Sequence, residues 1–235
     1  MTMNYYLRIL IIFYIFSFQL VSAQENNYLV PIRSYLYNSN VLVNGSKVFE
    51  IYDRILSNKL FVTRGNIGRF VILPSFKPET SLAIYESIDD EVLRKYDGVY
   101  QSIPESEKNY FFTLTKASKN IWFSLSNPDE IKITRIDLKV NYQLALAIRD
   151  GWKEMLIHTK YSKTPNSVLD STTFQFNVDW FGGEIKAPLY GLPAEMVELS
   201  SKLVEITENQ KKLNDLEIKT LIKNFNDFKH KCERL

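Results

Sequence analysis

Residues 138–159 read LKVNYQLALAIRDGWKEMLIHT, and the spacing of their apolar side chains decides the fold. Leu138, Tyr142, Ala145, Ile148, Trp152, Met155, Leu156 and Thr159 recur mostly at intervals of three and four. At about 3.6 residues per turn, this makes one apolar stripe on a helix more than five turns long. Pro165 follows as a stop signal. A helix with a single apolar stripe must bury it against another layer. The flanking sequence supplies that layer as strands.

Upstream, GRFVILP (68–74) is a strand stopped by Pro74, SFKPE (75–79) is a turn with a second proline, and TSLAIYES (80–87) is the next strand. The acidic IDDEVLRKYD segment (88–97) makes a helical turn. NYFFTLT (109–115) and IWFSLS (121–126) flank the five-residue loop KASKN and read as a β-hairpin, with IKITRID (131–137) as a further strand. Downstream, STTFQFNVDWFGGEIKAP (171–188) alternates and is expected to turn at Gly182 and Gly183.

The ends are read in the same way. Residues 28–43 suggest two short strands around a turn, and Val48, Ile51, Ile55 and Leu56 place a short helix over 44–58. Pro193 suits the first turn of a C-terminal helix. Its stripe runs through Met196, Leu199, Leu203, Ile206, Gln210 and Leu213. The register shifts near 214–217 and resumes at Ile218, Leu221 or Ile222, Phe225, Phe228 and Cys232, giving one kinked helix or a helix pair. The fold class is α+β: a twisted antiparallel sheet packed on a long helix, with a C-terminal helix or helix pair.

Residues 1–23 form a separate unit. Arg8 precedes the apolar run LIIFYIFSF (10–18), and VSA (21–23) carries residues suited to a signal-peptidase site. The run is shorter than the roughly 20 residues of a membrane span. The expected organisation is a cleaved signal peptide (1–23), an α+β domain (24–195), and a helical segment packed on it (196–235). The expected location is the periplasm or the exterior, with no membrane span after cleavage.

Composition narrows the chemistry. The net charge of +2 and the absence of a basic cluster argue against nucleic acid as a partner. Cys232 is the only cysteine, so no intramolecular disulfide forms, and with two histidines the chain lacks the usual ligand set of a structural zinc site. No metal, no cofactor and no catalytic residue is assigned. There is no P-loop, dinucleotide fingerprint or nucleophile elbow.

Glu154 and His158 lie four residues apart. At ~100° per residue both point away from Trp152, which reads as a solvated pair on the face opposite the sheet. Gly151 lies on that side too, either as a cost the helix tolerates or as a point of close approach by another backbone, of the C-terminal helix or of a second subunit. The binding candidates are Phe76 and Glu79 on the proline-stiffened loop, and Trp180 and Phe181 beside the Gly182-Gly183 turn. Trp122, Trp180 and Phe181 together raise a carbohydrate or peptide platform, set against the commoner fate of strand aromatics as core.

GRFVILPSFKPETSLAIYE, the Ile121-Trp122 pair, GWKEMLIHTKY, LDSTTFQF and PLYGLPAEMVELSSKL occur in an order that resembles an unnamed group of bacterial proteins. In that group the helix reads W-x-x-x-L-x-x-x-R-Y, followed by L-D-G and an aromatic strand. Trp152, Leu156, Tyr161 and Asp170 match, whereas Lys160 stands for arginine and Ser171 for glycine. The resemblance covers roughly residues 68–205 and implies a single domain without implying a chemistry.

The preferred function is an exported, non-enzymatic binding or interaction protein, acting as a monomer on another protein or a glycan. One alternative is a hydrolase of cell-wall or glycan substrate using paired carboxylates among Glu79, Asp170, Asp179 and Glu184. The other is a periplasmic inhibitor of a toxin.

Overall fold

The computed structural model describes residues 28–30, 32, 46–61, 65–160 and 171–235. The expected signal segment and most of the strands expected over 28–43 lie outside them. Helix α1 (Ser46–Leu60) is followed by strands β1 (Asn66–Leu73) and β2 (Thr80–Ser87), the short helix α2 (Asp90–Lys95), and strands β3 (Asn109–Ala117) and β4 (Ile133–Val140). Then come α3 (Tyr142–Ile157), the hairpin β5 (Thr173–Val178) and β6 (Phe181–Lys186), and α4 (Gly191–Glu208) and α5 (Asp215–Cys232). The strands form one antiparallel sheet in the order β4-β3-β2-β1-β5-β6. The fold is α+β, as expected, and the C-terminal segment is a helix pair.

Period-two alternation gives the sheet two unlike faces. Phe70, Leu82, Ile84, Phe112, Leu114 and Phe176 point to one side and are fully or almost fully buried under α3 and α4. Trp152 is at the centre of that layer, its ring 5.8 Å from Phe176 and 6.5 Å from Phe70. Its indole N–H donates to Ser200 Oγ of α4 at 3.0 Å. The opposite face carries Arg69, Ser81, Thr113, Thr115, Gln175 and Glu184. Helix α1 packs near its β3 end, burying Tyr52, Ile55, Leu56 and Leu60 with Ala117, Ile121 and Ile131.

Helix α5 packs across the outside of α3. Gly151 makes the approach possible, since a Cβ there would stand 3.3 Å from both the Phe225 ring and the Phe225 carbonyl oxygen. Leu221, Phe225, Phe228 and Cys232 are buried in the contact, and the Cys232 sulfur lies 3.8 Å from that of Met155. A capping box at Asn214 and Glu217 starts α5 and explains the register break before it.

Several local expectations are corrected. The strand expected over 121–126 is a 3-10 turn at Trp122–Ser124, and β3 pairs with β4 instead. Asn120 causes this: its Oδ1 accepts from the Phe123 N–H at 3.2 Å, and its backbone carbonyl accepts from Ser124 Oγ at 2.8 Å. These local bonds compete with a ladder despite the β-prone side chains.

The 171–188 hairpin turns at Asp179 and Trp180, where Asp179 adopts φ 52°, and not at the two glycines. Gly182 and Gly183 sit inside β6. A Cβ on Gly183 would be 3.0 Å from the Leu156 and Thr159 side chains, so this glycine admits the end of α3.

Helix α3 begins at Tyr142, because Leu138 and Val140 continue the alternation of β4 and Asn141 caps the helix, accepting from the Gln143 N–H at 2.7 Å. In α1 the buried face is Tyr52, Ile55, Leu56 and Leu60, while Val48 and Ile51 are exposed.

Candidate functional site

The loop after β1 meets α1 and the 3-10 turn to form an aromatic cleft of about 280 Å³. Phe49 and Tyr52 enter it from one face of α1, three residues apart as helical neighbours must be. Trp122 lies 5.1 Å from the Phe49 ring and 5.4 Å from the Tyr52 ring, making the back wall. At the lip, Phe76 and Phe123 stack with centroids 6.1 Å apart and planes 8° from parallel. Both rings face water, at 67% and 64% exposure. Ser75, Ser171, Thr173 and Lys186 supply the polar part of the lining.

The lip is held stiffly. Pro74 and Pro78 restrict the loop. Asn120 Nδ2 donates to the Lys77 carbonyl at 2.8 Å and to the Pro74 carbonyl at 3.3 Å. Ser75 Oγ donates to the Ser171 carbonyl at 3.0 Å, tying the loop to the start of β5. Ser171 Oγ is buried and has no hydrogen-bond partner among the described residues.

Glu79, expected as an accessible carboxylate, is buried at the floor with 1% exposure. Its Oε2 accepts from the Ile121 N–H at 2.8 Å and its Oε1 from the Tyr52 hydroxyl at 3.2 Å. Burial raises its pKa above the usual carboxylate range, partly offset by the bonds it accepts from Ile121, Tyr52 and Trp122. Glu79 therefore pins α1, β2 and the 3-10 turn together, and among the described residues it is the only carboxylate lining the cleft.

The four binding candidates fall in two places. Phe76 and Glu79 share the cleft. Trp180 and Phe181 are at the other end of the β5–β6 hairpin, roughly 17 Å away at ~3.4 Å per strand residue. Trp180 is 87% exposed, and Phe181 packs beside it at 6.3 Å under the Lys153 ammonium. Lys153 also pairs with Asp179 at 2.8 Å.

The Glu154–His158 pair is not solvated as expected. The nearest approach is 3.6 Å, and the side chains are only 19% and 27% exposed. Helix α5 covers this side, and Glu154 lies near enough to Cys232 for its charge to add to the effect of burial on that thiol. Of the carboxylates considered for hydrolysis, Glu184 is buried beside Gln175 Nε2 at 3.0 Å, Asp179 is at the hairpin tip, and Asp170 is outside the described residues.

Phe49, Tyr52 and Phe123 were not anticipated as site residues. The i, i+3 spacing of Phe49 and Tyr52 was a usable signal, and the Asn120 cap was the signal for Trp122 and Phe123. No group of three or more potential metal ligands occurs among the described residues, and none of the described helices is long and apolar enough to cross a membrane. No family model, curated protein or solved structure matches this chain.

Proposed function

We propose that this chain is an exported, non-enzymatic binding protein of the periplasm or cell exterior, and that it grips a glycan in the aromatic cleft. The observation that carries the reading is the stacked Phe76–Phe123 pair, left in water at the lip by a loop stiffened on three sides. Exposed, rigid aromatic surface is costly to leave bare and loses little entropy on binding. The C–H faces of a sugar ring fit such a surface, and the hydroxyls of Ser75 and Thr173 suit its hydroxyls. A non-catalytic role is favoured because the carboxylate of Glu79 is buried and engaged, and the described lining has no second one to complete an acid–base pair. Export is supported by the pattern of residues 1–23.

The test is a fluorescence titration of the Trp180→Phe protein with tetra-N-acetylchitotetraose and with soluble cell-wall glycan fragments. Trp152 is buried, so Trp122 reports on the cleft. Saturable quenching or shift, lost in Phe76→Ala and Phe123→Ala, is expected. No saturable response up to ~10 mM of any of these glycans, or a response indifferent to both substitutions, would refute the glycan reading.

A further inference from the structure

The sheet has two edges, and the chain treats them differently. At the β6 edge Val30 and Glu184 exchange both backbone bonds, at 2.9 and 2.7 Å, so the chain covers part of that edge itself. No strand covers the β4 edge among the described residues. Its outward groups can be assigned. The Ser118 N–H donates to the Lys132 carbonyl at 2.9 Å, and the register then runs unbroken from Ala117 opposite Ile133 to Tyr110 opposite Val140. Alternation in an antiparallel ladder therefore turns Thr134, Ile136, Leu138 and Val140 inward to β3. Arg135, Asp137 and Lys139 direct their N–H and C=O groups outward.

Beside this edge is an apolar cavity of about 390 Å³, between the end of β4 and the α4–α5 connection. Leu138, Val140, Leu144, Leu213 and Ile218 line it; Lys212 stands beside it, and Lys139, alternating with Leu138 and Val140, turns to the opposite face with Asp137 and Thr113. Neither lysine has an ion-pair partner among the described residues.

We propose that β4 accepts an extended segment of another protein as a seventh strand, and that this segment is acidic and amphipathic. Alternate apolar side chains enter the cavity on the helix side, and the carboxylates between them meet Lys139 on the opposite face. Strand addition of this kind draws affinity from the main chain and specificity from alternate side chains. A second copy of β4 does not fit. Antiparallel registers centred on Arg135 or on Asp137 set like charges against each other, and the register that brings Arg135 to the other copy's Asp137 draws on a carboxylate already engaged by its own Arg135 and the Thr113 hydroxyl. Lysines on an edge discourage self-pairing. That role accounts for the charges but not for an apolar cavity beside them. The inference is independent of the aromatic cleft.

The experiment uses the fluorescein-labelled peptide TEVELEVT and its counterpart TKVKLKVT, with fluorescence anisotropy and amide exchange by NMR. The acidic peptide should bind saturably and at least tenfold tighter than the basic one. Exchange should slow at Arg135, Asp137 and Lys139, and the variant K139E, which alters only surface charge, should lose affinity roughly tenfold. The Phe76→Ala protein should bind the peptide as the wild type does. Lack of saturable binding below ~1 mM, equal affinity for both peptides, unchanged exchange along β4, or dependence on Phe76 would each overturn the proposal.

Discussion

Replacing Trp152 with alanine tests the packing on which every other feature rests. The side chain is fully buried, touches the Phe70 and Phe176 rings, and sits over Gly68, where a Cβ would be 3.2 Å from the indole. Gly68 offers no side chain to fill the space, so collapse around the cavity is limited. Truncations of this size cost about 3–5 kcal/mol, and poor collapse places this one near the top. The lost hydrogen bond adds little, because Ser200 Oγ still donates to the Met196 carbonyl at 2.7 Å and is not orphaned. A cost of ~4–5 kcal/mol is a large fraction of the ~5–15 kcal/mol typical of a domain. Trp152→Phe should retain most of the volume and cost roughly half as much. Urea titration followed by far-UV circular dichroism, which does not rely on the lost indole, measures both. A cost under ~1.5 kcal/mol for Trp152→Ala would refute the assignment of this residue as the hub of the apolar layer.

Other substitutions probe the remaining contacts. Gly151→Leu should loosen α5 by forcing atoms into Phe225, costing about 2–3 kcal/mol in the same titration, whereas Gly151→Ala should be near neutral because helix propensity offsets the 3.3 Å contact. The Cys232 thiol is pushed up to about 12, first by burial and then by nearby carboxylates including Glu154 and Glu195. It should resist Ellman's reagent at pH 8 until urea unfolds the chain, and labelling of the native protein within minutes would contradict its placement. Glu79 has a folded-state pKa raised by burial, so its contribution is fully present below the ordinary carboxylate range and is lost as pH rises through the folded value. Glu79→Gln should therefore gain stability relative to the wild type on going from pH 4 to pH 7, and a relative loss would show that the hydrogen bonds outweigh desolvation.

The long elements were legible because one force dominates each. The stripe through Ile148, Trp152 and Met155 has a single solution, and so does the alternation through Phe70, Leu82 and Phe112. The misreadings arose where a second force competed. Leu138 satisfies both the helical spacing and the strand alternation, and only the Asn141 cap decides between them. The run from Ile121 to Ser126 has the side chains of a strand, yet Asn120 and the buried Glu79 capture its backbone. Gly182 and Gly183 look like a turn, but their role is to let α3 and the segment around Leu29 and Ile32 pass close to β6. Half of the candidate site suffered from the same ambiguity. Phe76 and Glu79 could be marked from the rigid loop, but Phe49, Tyr52 and Phe123 join them only through packing of distant segments.

The burial of Glu79 also explains how the cleft keeps its shape. Tyr52 belongs to α1, Ile121 to the 3-10 turn, and Glu79 to the loop end that enters β2, so one carboxylate joins three segments far apart in sequence. Its oxygens take bonds from groups that would otherwise be left unsatisfied in an apolar setting. Trp122 and Tyr52 are in turn the aromatic back wall, which places their ring geometry under the control of the same residue. The lip depends on a different set of bonds, through Asn120 and Ser75. Changes at Glu79 should thus move the wall and the stability together. Phe76→Ala and Phe123→Ala remove exposed surface that no buried contact needs, and should act on binding alone. That separation lets recognition be measured at the lip without unfolding the frame that carries it.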